Sequence, residues 1–71
     1  MISTNYETII WWSEEDEAFI VEVPELPGCM AHGSTRAKAL VNAEDAIRFW
    51  IETAREEGRL IPDPKGRLVF A

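Results

Sequence analysis

Two groupings in this sequence carry side chains whose types and spacing could make a bond or hold an ion. Cys29 and His32 place a thiol three residues from an imidazole, the combination in which a base activates a sulfur nucleophile. Glu14-Glu15-Asp16-Glu17 offers four consecutive carboxylates, oxygen ligands for a hard cation or partners in acid–base work. Both chemistries fail on placement. Cys29-Met30-Ala31-His32 reads as a short strand, where an odd spacing puts two side chains on opposite faces. Cys29 is therefore expected to be a packed thiol and His32 a strand-end residue near the surface. Consecutive carboxylates in a turn splay outward instead of converging on one ion, so the acidic run is expected to be a solvated turn that contributes only to the field. No catalytic, metal-binding or cofactor-binding residue is assigned, and the chain is not expected to be an enzyme.

The elements that position these residues follow from pattern. Tyr6 to Trp12 and Ala18 to Val23 are rich in β-branched and aromatic residues and read as two strands, joined into an antiparallel hairpin by the acidic run. That connection lacks the glycine of the tightest turns. Pro24-Glu25-Leu26-Pro27-Gly28 stops the second strand, because two prolines lack the ladder N–H and Gly28 permits positive φ. Pro24, Leu26, Pro27 and Gly28 are thus expected to form a rigid structural crossover that places the third strand; a recognition loop is the alternative.

Ser34 or Thr35 supplies an N-cap for a helix running to about Glu57, with Leu40, Ala43, Ile47, Trp50 or Ile51, and Ala54 on its apolar side. Gly58 is placed to cap its end. Arg67 to Phe70 reads as a last strand. The expected architecture is α+β: one small domain over residues 1–71, β-β-β-α-β, an antiparallel sheet with one helix on one face.

One helix covers one face only. Tyr6, Thr8, Ile10 and Trp12, with Phe19, Val21 and Val23, are assigned to the helix side, which turns Ile9, Trp11 and Ile20 away, with Glu7 and Glu22 around them as a charged rim. A contiguous apolar patch without cover marks an interface, so Ile9, Trp11, Ile20 and Glu22 are the candidate partner-binding residues. The helix repeats the signal: consecutive Phe49, Trp50 and Ile51 sweep about 200° at roughly 100° per residue, so one of them cannot reach the sheet.

Composition bounds the partner. At 71 residues the core is thin, and the single cysteine beside the single histidine gives neither a disulfide nor a structural zinc site. Oligomerisation remains, and a homodimer or homotetramer is expected. Thirteen acidic against seven basic residues give a net charge of −6, the wrong sign for direct nucleic-acid binding and the right one for a basic protein. The sequence has neither a signal-peptide pattern nor a membrane-length apolar run, so a cytoplasmic protein is expected.

Val23-Pro24-Glu25-Leu26-Pro27-Gly28-Cys29 resembles the V-P-D/E-L-P-G-C segment of the HicB-like antitoxin family. Gly33-Ser34-Thr35 is similar to that family's G-D-T turn, Ala39 to Ile47 to its E-A-x-x-N-A-x-x-A-I/L helix, and Gly58 to Pro64 to its G-x-x-I-P-x-P ending. The sequence departs at Ser34, where an acidic residue is usual, and at Arg36, Ala37 and Lys38, which make the helix start more basic. The resemblance implies a partial ribonuclease-H-like fold. It also implies an antitoxin that neutralises a HicA-like toxin, a small basic RNA-cleaving protein, by occluding its surface. A nuclease would need carboxylates meeting around two metals at the sheet centre, where this chain has Ile9, Ile10, Ile20 and Val21. Many members carry a carboxyl-terminal DNA-binding tail; a chain ending at Ala71 is expected to be a solitary short member lacking it. The alternative is a stand-alone oligomeric binding or regulatory domain without a toxin partner.

Overall fold

The computed structural model describes residues 4–64, which form strands β1 (Ile9–Ser13), β2 (Ala18–Glu22) and β3 (Met30–Gly33), then helix α1 (Arg36–Glu56). The sheet is antiparallel in the order β1-β2-β3, and α1 lies on one face. The α+β class and the β-β-β-α order are as expected; the last strand assigned to Arg67–Phe70 lies outside the described residues. Strand limits differ from the expected ones by a few residues. Tyr6 precedes the paired part of β1, yet its ring is buried in the core and its hydroxyl donates to the Pro62 carbonyl.

The β1–β2 connection does without glycine by putting Glu17 itself at φ 50°. The Asp16 N–H donates to Ser13 Oγ at 3.2 Å, which closes the turn with a side chain. Between β2 and β3 the Pro-rich segment is two successive turns. The Leu26 N–H donates to the Val23 carbonyl at 3.1 Å and the Cys29 N–H to the Leu26 carbonyl at 2.9 Å. In the second turn Pro27 precedes Gly28 at φ 80°, the type II arrangement in which the third residue must be left-handed. Leu26, at the joint, is fully buried, worth about 1.5–3 kcal/mol.

Thr35 is the N-cap of α1, its hydroxyl accepting from the Lys38 N–H at 3.1 Å. At the other end Gly58 at φ 70° allows its N–H to reach the Arg55 carbonyl and the Arg59 N–H the Ala54 carbonyl, a Schellman cap. The buried stripe is Ala39, Ala43, Ile47, Ile51 and Ala54. The expected Leu40 is therefore corrected to Ala39: Leu40 is exposed, because only a small residue fits where the helix meets β3. A Cβ on Gly33 would stand 2.5 Å from the Ala39 nitrogen. Val21 packs with Ala39 and Ala43, and Val23, Leu26, Cys29 and Tyr6 pack with Ile47 and Ile51. Trp50 is half-buried and its indole N–H donates to the Pro27 carbonyl at 2.9 Å, tying helix to loop. Of the three consecutive large residues it is Phe49 that faces away, 70% exposed.

Two predictions follow from this packing. Gly33→Ala drives a methyl into helix backbone, whereas Gly28→Ala meets open space and pays only the left-handed penalty of about 1–2 kcal/mol. Thermal melts should show the larger loss for Gly33→Ala; equal losses would contradict the close crossing. The second concerns Tyr6, whose phenol pKa is raised first by burial and then by the Asp63 and Glu25 carboxylates. The folded chain thus keeps this proton to higher pH than the unfolded chain. Its contribution is complete below about pH 10 and is lost as the pH climbs beyond. In urea melts, Tyr6→Phe should cost about 1 kcal/mol at neutral pH through the lost hydrogen bond and flatten the fall above pH ~10.

Candidate protein-binding face

Alternation along the strands fixes which side chains share the face away from α1, and the register fixes their neighbours. Trp11, Ile20 and His32 form one row across the sheet, and Ile9, Glu22 and Met30 the next. Ile9 and Trp11 are each 40% exposed and Met30 is 51% exposed, with Ile20 half-buried between Trp11 and His32. The face on which Ile9, Trp11, Ile20 and Glu22 were placed is uncovered by the described residues. Met30 belongs to it as well; strand parity read back from Glu22 would have found it.

Glu22 closes β2 and lies in the end row of the sheet, at its edge along the strands. It stands on the central strand with an exposed apolar side chain on either hand, Ile9 on β1 and Met30 on β3. The Val23 N–H donates to the Cys29 carbonyl at 3.0 Å, so Val23 and Cys29 are a hydrogen-bonded pair. By alternation, Glu22 and Met30 are then a non-hydrogen-bonded pair, the kind whose Cα atoms approach to about 4.5 Å and whose side chains lie closest.

Charge is divided as sharply as the faces. Residues 1–35 hold seven carboxylates and neither Lys nor Arg, whereas residues 36–71 hold all seven basic residues and six acidic ones. The strand layer is the acidic side of the molecule, and its exposed tip is Glu14 to Glu17. The cations near the sheet sit on the helix side: the Arg36 guanidinium lies 4.6 Å from the centre of the Phe19 ring, which Trp12 meets edge-on at 5.1 Å.

The other candidates separate as their spacing requires. Cys29 is buried with Val23, Leu26 and Ile47, and His32 is exposed on the outer face. Burial pushes the Cys29 thiol pKa up, the opposite of an activated nucleophile. Among the described residues, no group of three or more His, Cys, Asp or Glu side chains is placed to hold a metal ion, and no helix is long and apolar enough to cross a membrane. Pro24, Pro27 and Gly28 of the crossover are exposed around the buried Leu26. Beside them Met30, Phe49 and Trp50 line an open groove of about 320 Å³.

Residues 6–67 match the family described as the HicB-like antitoxin of a bacterial toxin–antitoxin system. A UPF0150 protein of Thermoplasma acidophilum is 42% identical over 55 residues, 78% of this chain and 80% of its own length. A UPF0150 protein of Synechocystis is 33% identical over 58 residues, 82% of this chain and 78% of its own. A 14.9 kDa protein from the rep-hol intergenic region of Haemophilus phage HP1 is 38% identical over 47 residues, 66% of this chain but 35% of its own length. No solved structure matches significantly.

The thiol offers a direct check on this assignment of roles. Cys29 should react with an aromatic disulfide reagent only as fast as the domain opens, and denaturant should accelerate the reaction. Rapid labelling of the native protein at neutral pH would return Cys29 to the list of functional groups.

Proposed function

Because the chain belongs to the HicB-like antitoxin family of bacterial toxin–antitoxin systems, we propose that it is a cytoplasmic binding protein without a catalytic role, which neutralises a small basic HicA-like toxin. It does so by covering the surface with which that toxin meets RNA. The observation that carries this reading is the outer sheet face: Ile9, Trp11 and Met30 stay exposed on the layer that holds seven carboxylates and neither Lys nor Arg. An RNA-binding surface is already cationic and so complements this layer. In such a contact the buried aromatic and aliphatic side chains supply most of the affinity, while outlying carboxylates set the encounter rate. Neither a cofactor nor direct nucleic-acid binding enters the reading.

Self-association into a homodimer or homotetramer is a second part of the proposal, favoured by the exposed Leu40, Val41 and Phe49 on the helix and by the thinness of the core. A stand-alone oligomeric domain with no toxin is the competing function, and the product of the adjacent reading frame separates the two.

Growth rescue on co-expression with that product, together with surface-binding kinetics, is the test. Trp11→Ala should weaken binding by about 2 kcal/mol or more and abolish rescue without unfolding the chain. Replacing Glu14 and Glu15 by glutamine should mainly slow association at low salt. Full rescue by a folded Trp11→Ala protein would remove the sheet face as the toxin site.

A further inference from the structure

Glu22 has no place on a purely hydrophobic interface. It is exposed, it stands on the central strand between Ile9 and Met30, and Ile20 precedes it on the same face. Any partner that covers Ile9 and Met30 covers this carboxylate too. A carboxylate taken out of water without a partner charge costs several kcal/mol. No described Lys or Arg is placed to neutralise it from within, since Arg36, Lys38, Arg48, Arg55 and Arg59 all belong to the helix or the segment after it; the basic side chain that shares its face is His32, one row away on β3.

We propose that Glu22 is the specificity determinant of the outer face: it selects an occupant that brings an Arg or Lys side chain in between the apolar contacts at Ile9 and Met30, and it turns away a second copy of this chain. The inference rests on the antitoxin reading and names what that reading's partner must present. A two-fold pair of sheets would bring two Glu22 carboxylates into one contact, with no Lys or Arg from either strand layer to pair them. The area argues the same way. Three strands spaced by about 4.8 Å and five residues long at ~3.4 Å each cover roughly 240 Å². A standard interface takes about 800 Å² from each partner. Flat sheet-to-sheet pairing is too small to offset two buried carboxylates. A basic protein that also reaches the acidic tip at Glu14 to Glu17 gains both area and charge complementarity.

The test uses the full chain with Glu22→Gln, Glu22→Lys and Glu22→Leu; the side chain is exposed, so melting temperatures should stay close to that of the parent protein. Against the product of the adjacent reading frame, Glu22→Lys should raise Kd at least about tenfold and Glu22→Gln less. In a double-mutant cycle, one Arg or Lys of that product should lose most of its effect once Glu22 is glutamine. In sedimentation equilibrium, Glu22→Leu should self-associate at least about tenfold more tightly than the parent chain, and adding Trp11→Ala should reverse this. If the parent chain and Glu22→Lys bind the product equally while Trp11→Ala does not, the face stands and the role of Glu22 falls. If Glu22→Leu associates no better than the parent, the exclusion of a second copy falls. If the parent chain binds no such product, the antitoxin reading itself is overturned, and the proposed occupant with it.

Discussion

The packing of helix on sheet turns on a place where backbone meets backbone without room for a side chain between. Where α1 crosses β3, the space above Gly33 is filled by the peptide joining Lys38 to Ala39. The small Ala39 and Ala43 fit that close crossing, both buried against Val21. Farther along α1 the larger Ile47 and Ile51 are accommodated, because the crossover supplies Leu26 and the β2 continuation supplies Val23 to meet them. Small residues near the cap and large ones beyond it thus make a graded contact. The Pro27 carbonyl, held by Trp50, fixes its far end.

This helix is the sheet's cover among the described residues, and the consequence for function is an economy of faces. The side packed on α1 is spent on stability. The side turned away leaves Ile9, Trp11 and Met30 exposed and Ile20 half-buried, on the layer that carries seven carboxylates and neither Lys nor Arg. The ladder holds the apolar and charged parts of that surface in register.

Much of this was legible in the sequence. The period of two assigned Ile9, Trp11 and Ile20 to one face and Val21 and Val23 to the other, and the dipeptide Pro27-Gly28 carried its own turn chemistry. Leu40 reads as inward, and the apolar neighbours of Glu22 go unseen, because a one-dimensional pattern ranks residues by hydrophobicity and parity. The helix register answers to clearance over Gly33, and the neighbours of Glu22 are set by pairing across strands that sequence alone does not align. The left-handed Glu17 was hidden for a related reason: nothing in its side chain announces positive φ, and the turn is closed by Ser13 instead. Nothing in the one-dimensional pattern marks Asn42 as a side chain that reaches the sheet.

That side chain has a consequence at the margin of the fold. The Asn42 amide donates to the His32 carbonyl at 2.8 Å. By the alternation that pairs Val23 with Cys29, the His32 backbone groups point outward from β3 and not toward β2. An incoming strand that tried to extend the ladder past β3 would find one of its acceptors already engaged. A four-residue edge with a helix-borne amide clamped across it is a poor template for fibril growth, which depends on an unbroken row of vacant donors and acceptors. Asn42 therefore leaves the outer edge of β3 one vacant acceptor fewer.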